Sequence, residues 1–221
     1  MTRKMLKLNK DLRARYLCLR ILIGVFQERK TVTQKLDNKN FKGSFLEEGE
    51  LARAERLSNF IFIHLIDIDN CINLYLRKKI KLEVRNILRL VIAELVIKES
   101  PDHAIINSAV ELSKLSLLTK YFSGLVNAVS RKIVLQIKNK KLILNTSLNK
   151  KLREYLNKIY SDDAIQRIEE LMSVRVPIDL TVKNFNEKNF WKKKLNAIEL
   201  PTGTLRLQNF PQISSLQGFK E

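Results

Sequence analysis

Residues 83–98 read EVRNILRLVIAELVIK. Val84, Ile87, Leu88, Val91, Leu95 and Val96 recur at three- and four-residue steps, the spacing of one helical face. Leu90 and Ile92 widen that face, and a helix apolar on most sides belongs inside a set of other elements. The segment predicts a central buried helix, and its flanks supply partners. Residues 9–28 place Leu12, Tyr16, Leu19, Leu22, Ile23 and Phe26 on one face, with Lys10, Arg13 and Arg20 opposite. Residues 50–66 repeat the pattern with Leu51, Ala54, Leu57, Ile61 and Leu65. Residues 31–49 contain Gly43 and Gly49 and read as a short helix with loops; Asp67–Lys79 reads as a further helix. Downstream, Ser100-Pro101 marks a boundary, because Ser can cap a helix and Pro suits its first position. The helix it opens is expected to reach about Thr119, with Ala109, Val110, Leu112 and Leu115 inward. Gly124 starts or joins another, which continues through Leu125, Val129, Ile133 and Ile137.

Lys138–Lys141 is a basic break, followed by two short helices at Leu148–Tyr160 and Asp162–Ser173, the second capped by Ser161 or Asp162. The texture then changes. Val176–Lys183 alternates apolar and polar residues with Ile178, Leu180 and Val182 on one side, a strand pattern. Glu187–Ala197 is helical in spacing, with Phe190, Trp191 and Leu195 read as packing residues. Pro201–Gly203 is a turn, Thr204–Leu207 a second strand and Ile213–Leu216 a candidate third. The fold class is mainly α: a helical bundle over 1–140, a helical connector over 141–175, and the beginning of a small α/β unit over 176–221.

The 221 residues include 41 Lys and Arg against 23 Asp and Glu, a formal charge of +18. With 45 % hydrophobic residues the chain can bury a core, so the charge excess is a surface property and points to a polyanionic partner. The abundance of Lys, Asn and Ile also fits an AT-biased genome, which makes part of the lysine excess a neutral surface choice. Cys18 and Cys71 have neither CxxC spacing nor a nearby His, so a disulfide framework or zinc site is not expected and a reducing compartment fits. No apolar run has the length of a membrane span, and the N-terminus lacks the apolar stretch of a signal peptide, so a cytoplasmic location is expected.

Five blocks together resemble the NusB family. They are Leu12–Leu22 (LRARYLCLRIL), Ala54–Asn59 (AERLSN), Asn86–Leu95 (NILRLVIAEL), Ser100–Lys114 (SPDHAIINSAVELSK) and Ser123–Ile133 (SGLVNAVSRKI), in the order the family shows. Three later segments are similar to the stretch that precedes the methyltransferase domain in bacterial small-subunit rRNA (cytosine-5) methyltransferases of the RsmB/Sun family, in their alphaproteobacterial form. These are Val176–Lys183 (VPIDLTVK), Leu200–Leu207 (LPTGTLRL) and Ile213–Glu221 (ISSLQGFKE). The resemblance implies a NusB-like helical bundle and an RNA partner, small-subunit rRNA in particular. The family's catalytic half would bring S-adenosylmethionine, a glycine-rich loop and two catalytic cysteines. This sequence shows none of those motifs, so no cofactor is expected on the chain as given and the expectation is a fragment inactive by itself. It departs from the family in two further places: the connector near Asn145-Thr-Ser lacks the usual Pro and Trp, and Ser130 replaces the usual Leu before Arg131.

Candidate RNA contacts are Arg3, Lys4, Lys7, Lys10, Arg13 and Arg15 at the N-terminus, with Arg56 and Arg131 elsewhere. Clustered Lys and Arg neutralise phosphates and release counterions. The competing reading of the first group is a solvated basic tail; for Arg131, one turn from Asn127, it is packing of the side-chain stem. Arg53, Arg77, Lys78 and Lys79 can extend the surface, as can Lys138, Lys140 and Lys141. His103 has no nucleophile nearby in sequence and reads as a polar helix-start residue. Two other functions compete with the methyltransferase reading. One is a free-standing antitermination factor, against which the tail over 176–221 argues. The other is a membrane-surface protein attracted by charge.

Overall fold

A computed structural model describes residues 8–36, 48–142, 144–174, 176–208 and 216–218, which form two compact units, 1–169 and 170–221. In the first unit, α1 (Lys10–Phe26) begins where Asn9 Oδ1 accepts the Leu12 amide at 2.9 Å, satisfying one of the free amides of the first turn. A short α2 (Val32–Leu36) folds back on α1, and the fit needs Gly24: a Cβ there would collide with the aliphatic stem of buried Lys35. Then come α3 (Glu48–Ile63), α4 (Leu65–Asn73), α5 (Leu82–Ile97), α6 (Asp102–Lys114) and α7 (Ser123–Lys138).

The expected central helix is α5. Every residue from Asn86 to Leu95 is buried, and α5 packs against α1, α3, α4, α6 and α7. Leu88, Leu90, Ile92 and Ala93 are 0–1 % exposed on different sides of the helix, which only a surrounded helix permits. Leu17, Ile21, Leu22, Leu57, Ile61, Ile68, Ile105, Val126 and Ile133 close the core around it.

Three polar groups are drawn inside with α5. Arg15 on α1 is 2 % exposed and donates through Nε to both Glu94 oxygens at 2.8 and 2.9 Å, and through a second nitrogen to the Asp11 carbonyl. Arg53 on α3 reaches the same carboxylate at 3.0 Å. Midway along α5, Arg89 forms a bidentate pair with Asp69 at 2.6 and 2.8 Å, donates to Asn86 and lies over the Phe26 ring. These contacts tie α1, α3 and α4 to the central helix in one register.

Boundaries differ from the sequence reading where the backbone turns. Pro101 is the N-cap of α6 rather than its first residue, with φ −61° and ψ 145°; its carbonyl accepts the Ala104 and Ile105 amides. That helix stops at Lys114, and Thr119 turns back to bond the Ser113 carbonyl at 2.6 Å. The helix expected over Asp67–Lys79 is the shorter α4. After α7, residues 144–145 are held to α4, with the Asn145 amide donating to Asp67 at 2.7 Å. Next come two short helices, α8 (Lys150–Leu156) and α9 (Asp162–Met172), where Arg153 Nη1 and Glu169 meet at 2.5 Å; this holds the Glu169 carboxyl below the usual range.

The second unit is a three-stranded antiparallel sheet with order β1-β3-β2: β1 (Asp179–Leu180), β2 (Ala197–Glu199) and β3 (Leu205–Leu207), with α10 (Lys188–Lys194) beside it. The sequence reading ends a helix at Ala197 and assigns no element to Ile198 and Glu199; the structure makes Ala197–Glu199 a strand. Asn196 adopts a left-handed backbone, φ 48°, which ends the helix and lets Ala197 pair with Leu207. The candidate strand at Ile213–Leu216 lies largely outside the described residues. Leu205 and Leu207 form the small core with Ala197, Trp191 and Leu195.

Breaking a buried ion pair from one side leaves an uncompensated charge. Replacing Arg15 with Ala is therefore expected to lower the unfolding free energy by about 3–5 kcal/mol in urea denaturation. The exposed Lys132→Ala change should stay within about 0.5 kcal/mol. An unchanged midpoint for the Arg15 variant would contradict the structural role assigned to the pair.

Candidate nucleic-acid interface

The contacts of α5 fix which basic residues share a surface. Arg15 and Arg53 meet Glu94, and Arg53 and Arg56 meet Glu99, so the second turn of α1 and the second and third turns of α3 lie beside the end of α5. Lys138 pairs with Asp102 at 3.1 Å, which adds the end of α7 and the start of α6 to the same end of the bundle. Between these ends is a cavity of about 350 Å³ lined by Leu95, Val134 and Ile137 below and by Lys98, Asp102, Lys138 and Lys140 at its mouth. One carboxylate faces three ammonium groups there, and the amides of the first turn of α6 add partial positive charge.

Two of these lysines occupy unusual backbone. Lys98 follows α5 with φ 58° and donates its amide to the Glu94 carbonyl at 2.9 Å, the single-bond left-handed cap. Lys140 follows α7 with φ 54°; its amide bonds the Ile137 carbonyl and the Lys141 amide bonds the Gln136 carbonyl, a Schellman cap. Glycine is the usual residue at both positions, and a side chain there costs about 1–2 kcal/mol. A lysine also complements the negative end of a helix dipole, although any nearby cation would do that. The sequence carries strain at the two places where a lysine overhangs the cavity.

The residues expected to contact RNA divide accordingly. Arg3, Lys4 and Lys7 lie outside the described residues. Lys10 is exposed on the first turn of α1. Arg13 is half-buried and paired with Glu50 at 2.9 Å. Arg15 is a correction: its guanidinium is inside the bundle and committed to Glu94, so it has no face for a phosphate. Arg56 is exposed beside Glu99, and Arg131 is exposed with Nε 3.3 Å from Asn127 Oδ1. Arg77, Lys78 and Lys79 precede the N-terminus of α5, and a 16-residue helix puts them about 24 Å from Lys98. They do not extend this surface. Lys98 was missed as a site residue; the αL signal sits in a Lys-Glu-Ser-Pro stretch with no glycine to announce it.

His103 is exposed at the start of α6. Both cysteines are buried; burial pushes the Cys18 thiol far above its ordinary range and the Cys71 thiol up to about 11. Neither is a thiolate nucleophile near neutral pH. S-adenosylmethionine finds no fitting residues among those described: the sheet is antiparallel, its strands are two or three residues long, and Gly203 sits in a turn rather than a loop between strand and helix.

The match to known families falls on this bundle. The model of the NusB family matches residues 12–135. The chain belongs to the NusB family. Among solved structures it is similar to NusB of T. maritima, at 24 % identity with a TM-score of 0.51, over 59 % of this chain and 93 % of that one. At that identity the likeness is one of fold. Comparison with curated proteins gives no match. NusB domains bind RNA, and in this one Lys98, Lys138 and Lys140 share the cavity at the end of α5 and α7 and the start of α6. Among the described residues no helix is long and apolar enough to cross a membrane.

Lys98→Gly and Lys140→Gly should each relieve backbone strain, leaving stability unchanged or raised by about 1 kcal/mol, while weakening RNA binding. Thermal unfolding and filter binding on the same preparations test the opposed signs. Loss of stability together with unchanged binding would make both lysines ordinary caps.

Proposed function

We propose that this chain is the RNA-recognition part of a small-subunit rRNA (cytosine-5) methyltransferase. The observation that carries the proposal is the second unit. The family match stops at residue 135, and the T. maritima NusB chain is 93 % covered by 59 % of this one, so a NusB domain leaves much of the chain unaccounted for. The remainder includes a strand, a turn and a further strand built from Val176–Lys183 and Leu200–Leu207, the segments that resemble the approach to the methyltransferase domain. A free-standing antitermination factor has no use for such a unit.

In this reading the NusB domain supplies affinity and orientation. Lys98, Lys138 and Lys140 engage phosphates, with Lys10, Arg56 and Arg131 at the margins. Such contacts read the shape of folded RNA and carry little sequence information. The structural arginines keep the bundle end rigid so that the lysines present a fixed pattern. Methyl transfer from S-adenosylmethionine belongs to residues other than these.

Binding to a small-subunit rRNA fragment should fall steeply with salt. Replacing Lys98, Lys138 or Lys140 with Ala should flatten the log–log slope by about 1 for each lost phosphate contact. Arg77→Ala with Lys79→Ala, at the far end of α5, should change neither slope nor affinity. Equal effects from both sets would disperse the interface over the whole surface.

In the source cell, disrupting the gene should remove one 5-methylcytosine from small-subunit rRNA, read by bisulfite sequencing. An unchanged methylation pattern would sink the methyltransferase assignment and leave the NusB domain as an RNA binder of another process.

A further inference from the structure

The second unit carries a feature the NusB domain does not explain. Residues 185–194 read FNEKNFWKKK. Phe190 is expected to pack inward with Trp191, but the structure leaves it exposed beside that ring. Trp191 is half-buried against the sheet and donates through Nε1 to Glu187 at 3.2 Å, while Phe190 is 56 % exposed and Phe185 71 % exposed. Each exposed ring has a lysine over it: Lys188 Nζ lies 4.1 Å from the Phe185 centroid and Lys194 Nζ 5.1 Å from that of Phe190. Phe185 also walls an open cleft of about 600 Å³ whose other side is the Leu200–Gly203 turn.

Charge on this face is unevenly neutralised. Glu199 takes Lys188 at 2.7 Å and Lys192 at 3.1 Å. Among the described residues, Lys193 is exposed with no partner, and Lys194 is engaged with the Phe190 and Trp191 rings alone. Exposed aromatic rings cost hydration and normally turn inward. Two of them within one helix and its leading turn, interleaved with lysines, are the composition of a surface that stacks unpaired bases and neutralises the phosphates between them. A membrane-binding helix would need a long continuous apolar face, and α10 has seven residues.

We propose that Phe185 and Phe190 form a stacking platform for single-stranded RNA, with Lys193 and Lys194 contacting its phosphates. The class of partner rests on the RNA-binding reading of the chain. The site itself rests on this unit alone.

Trp191 is the only tryptophan of the sequence, and its ring centroid is 5.2 Å from that of Phe190. Its fluorescence therefore reports on this face and not on the NusB domain. Titrating the full chain with a short oligouridylate should quench Trp191. Phe185→Ala with Phe190→Ala should abolish the quenching and weaken oligouridylate binding about tenfold or more. Lys193→Glu with Lys194→Glu, a change at exposed positions, should do the same without touching a ring. Lys138→Glu with Lys140→Glu should weaken binding to folded rRNA yet leave the Trp191 signal intact, which separates failure of the bundle interface from failure of this one. Oligouridylate binding without any change in Trp191 emission would overturn the platform. So would quenching by anionic phosphatidylserine vesicles but not by RNA, which would assign the face to a lipid surface.

Discussion

A carboxylate near the end of an apolar helix must be matched by cations or lose its charge, because an isolated ion in the protein interior is costly. Glu94 is one turn from the end of α5 and 4 % exposed, and it is matched twice, by Arg15 from α1 and Arg53 from α3. Apolar packing alone permits helices to slide by a turn at small cost. A guanidinium whose Nε is shared between both oxygens of one carboxylate, while Nη1 holds the Asp11 carbonyl, does not. With Arg15 fixed, the second turn of α1 is set beside the last turn of α5, and the neighbouring pairs Arg13–Glu50 and Arg56–Glu99 set α3 in the same register. The placement of the α1 and α3 candidates, Lys10, Arg13 and Arg56, beside the end of α5 depends on that alignment.

The consequence is a division of labour between the two basic residues. Arg15, Arg53 and Arg89 are turned inward, where a planar fork can satisfy a carboxylate and stack on a ring. Lys98 and Lys140 are left outside, and Lys138 is half-satisfied by Asp102. Lysine is a mobile, hydrated point charge, suited to a phosphate that arrives from solvent and must be released again. A net charge read from the sequence weighs both kinds equally, although only the second is available to a partner.

This explains what the sequence made legible and what it hid. The central helix was readable because Val84 to Val96 repeat at helical spacing on so many sides that only a surrounded position fits. The bundle and its order were readable for the same reason, and the blocks that resemble NusB fall on the helices that contact α5. Arg15 was not readable: it stands between Arg13 and Arg20 in a run that looks like a basic tail, and only the distant Glu94 makes it an interior residue. Lys98 was hidden by the opposite circumstance, a left-handed cap without the glycine that usually marks one. In the second unit, Ala197–Glu199 was lost because Phe190, Trp191 and Leu195 carry helical spacing right up to Asn196, and the turn that begins β2 depends on one residue with positive φ.

The two candidate surfaces differ in physical character, and the difference bears on how such a chain would hold RNA. Attraction between lysines and phosphates gains its free energy from released counterions, so it fades as salt rises. Stacking on Phe185 and Phe190 buries ring faces and depends much less on salt, and it requires bases that are already unpaired. The bundle end therefore suits a folded, phosphate-rich surface approached from a distance, and the aromatic face suits a strand opened at short range. Under the proposed function the first surface would find the molecule and the second would favour the state in which a base is free. The charge of +18 fits the first requirement; the exposed phenylalanines, which charge alone does not explain, fit the second.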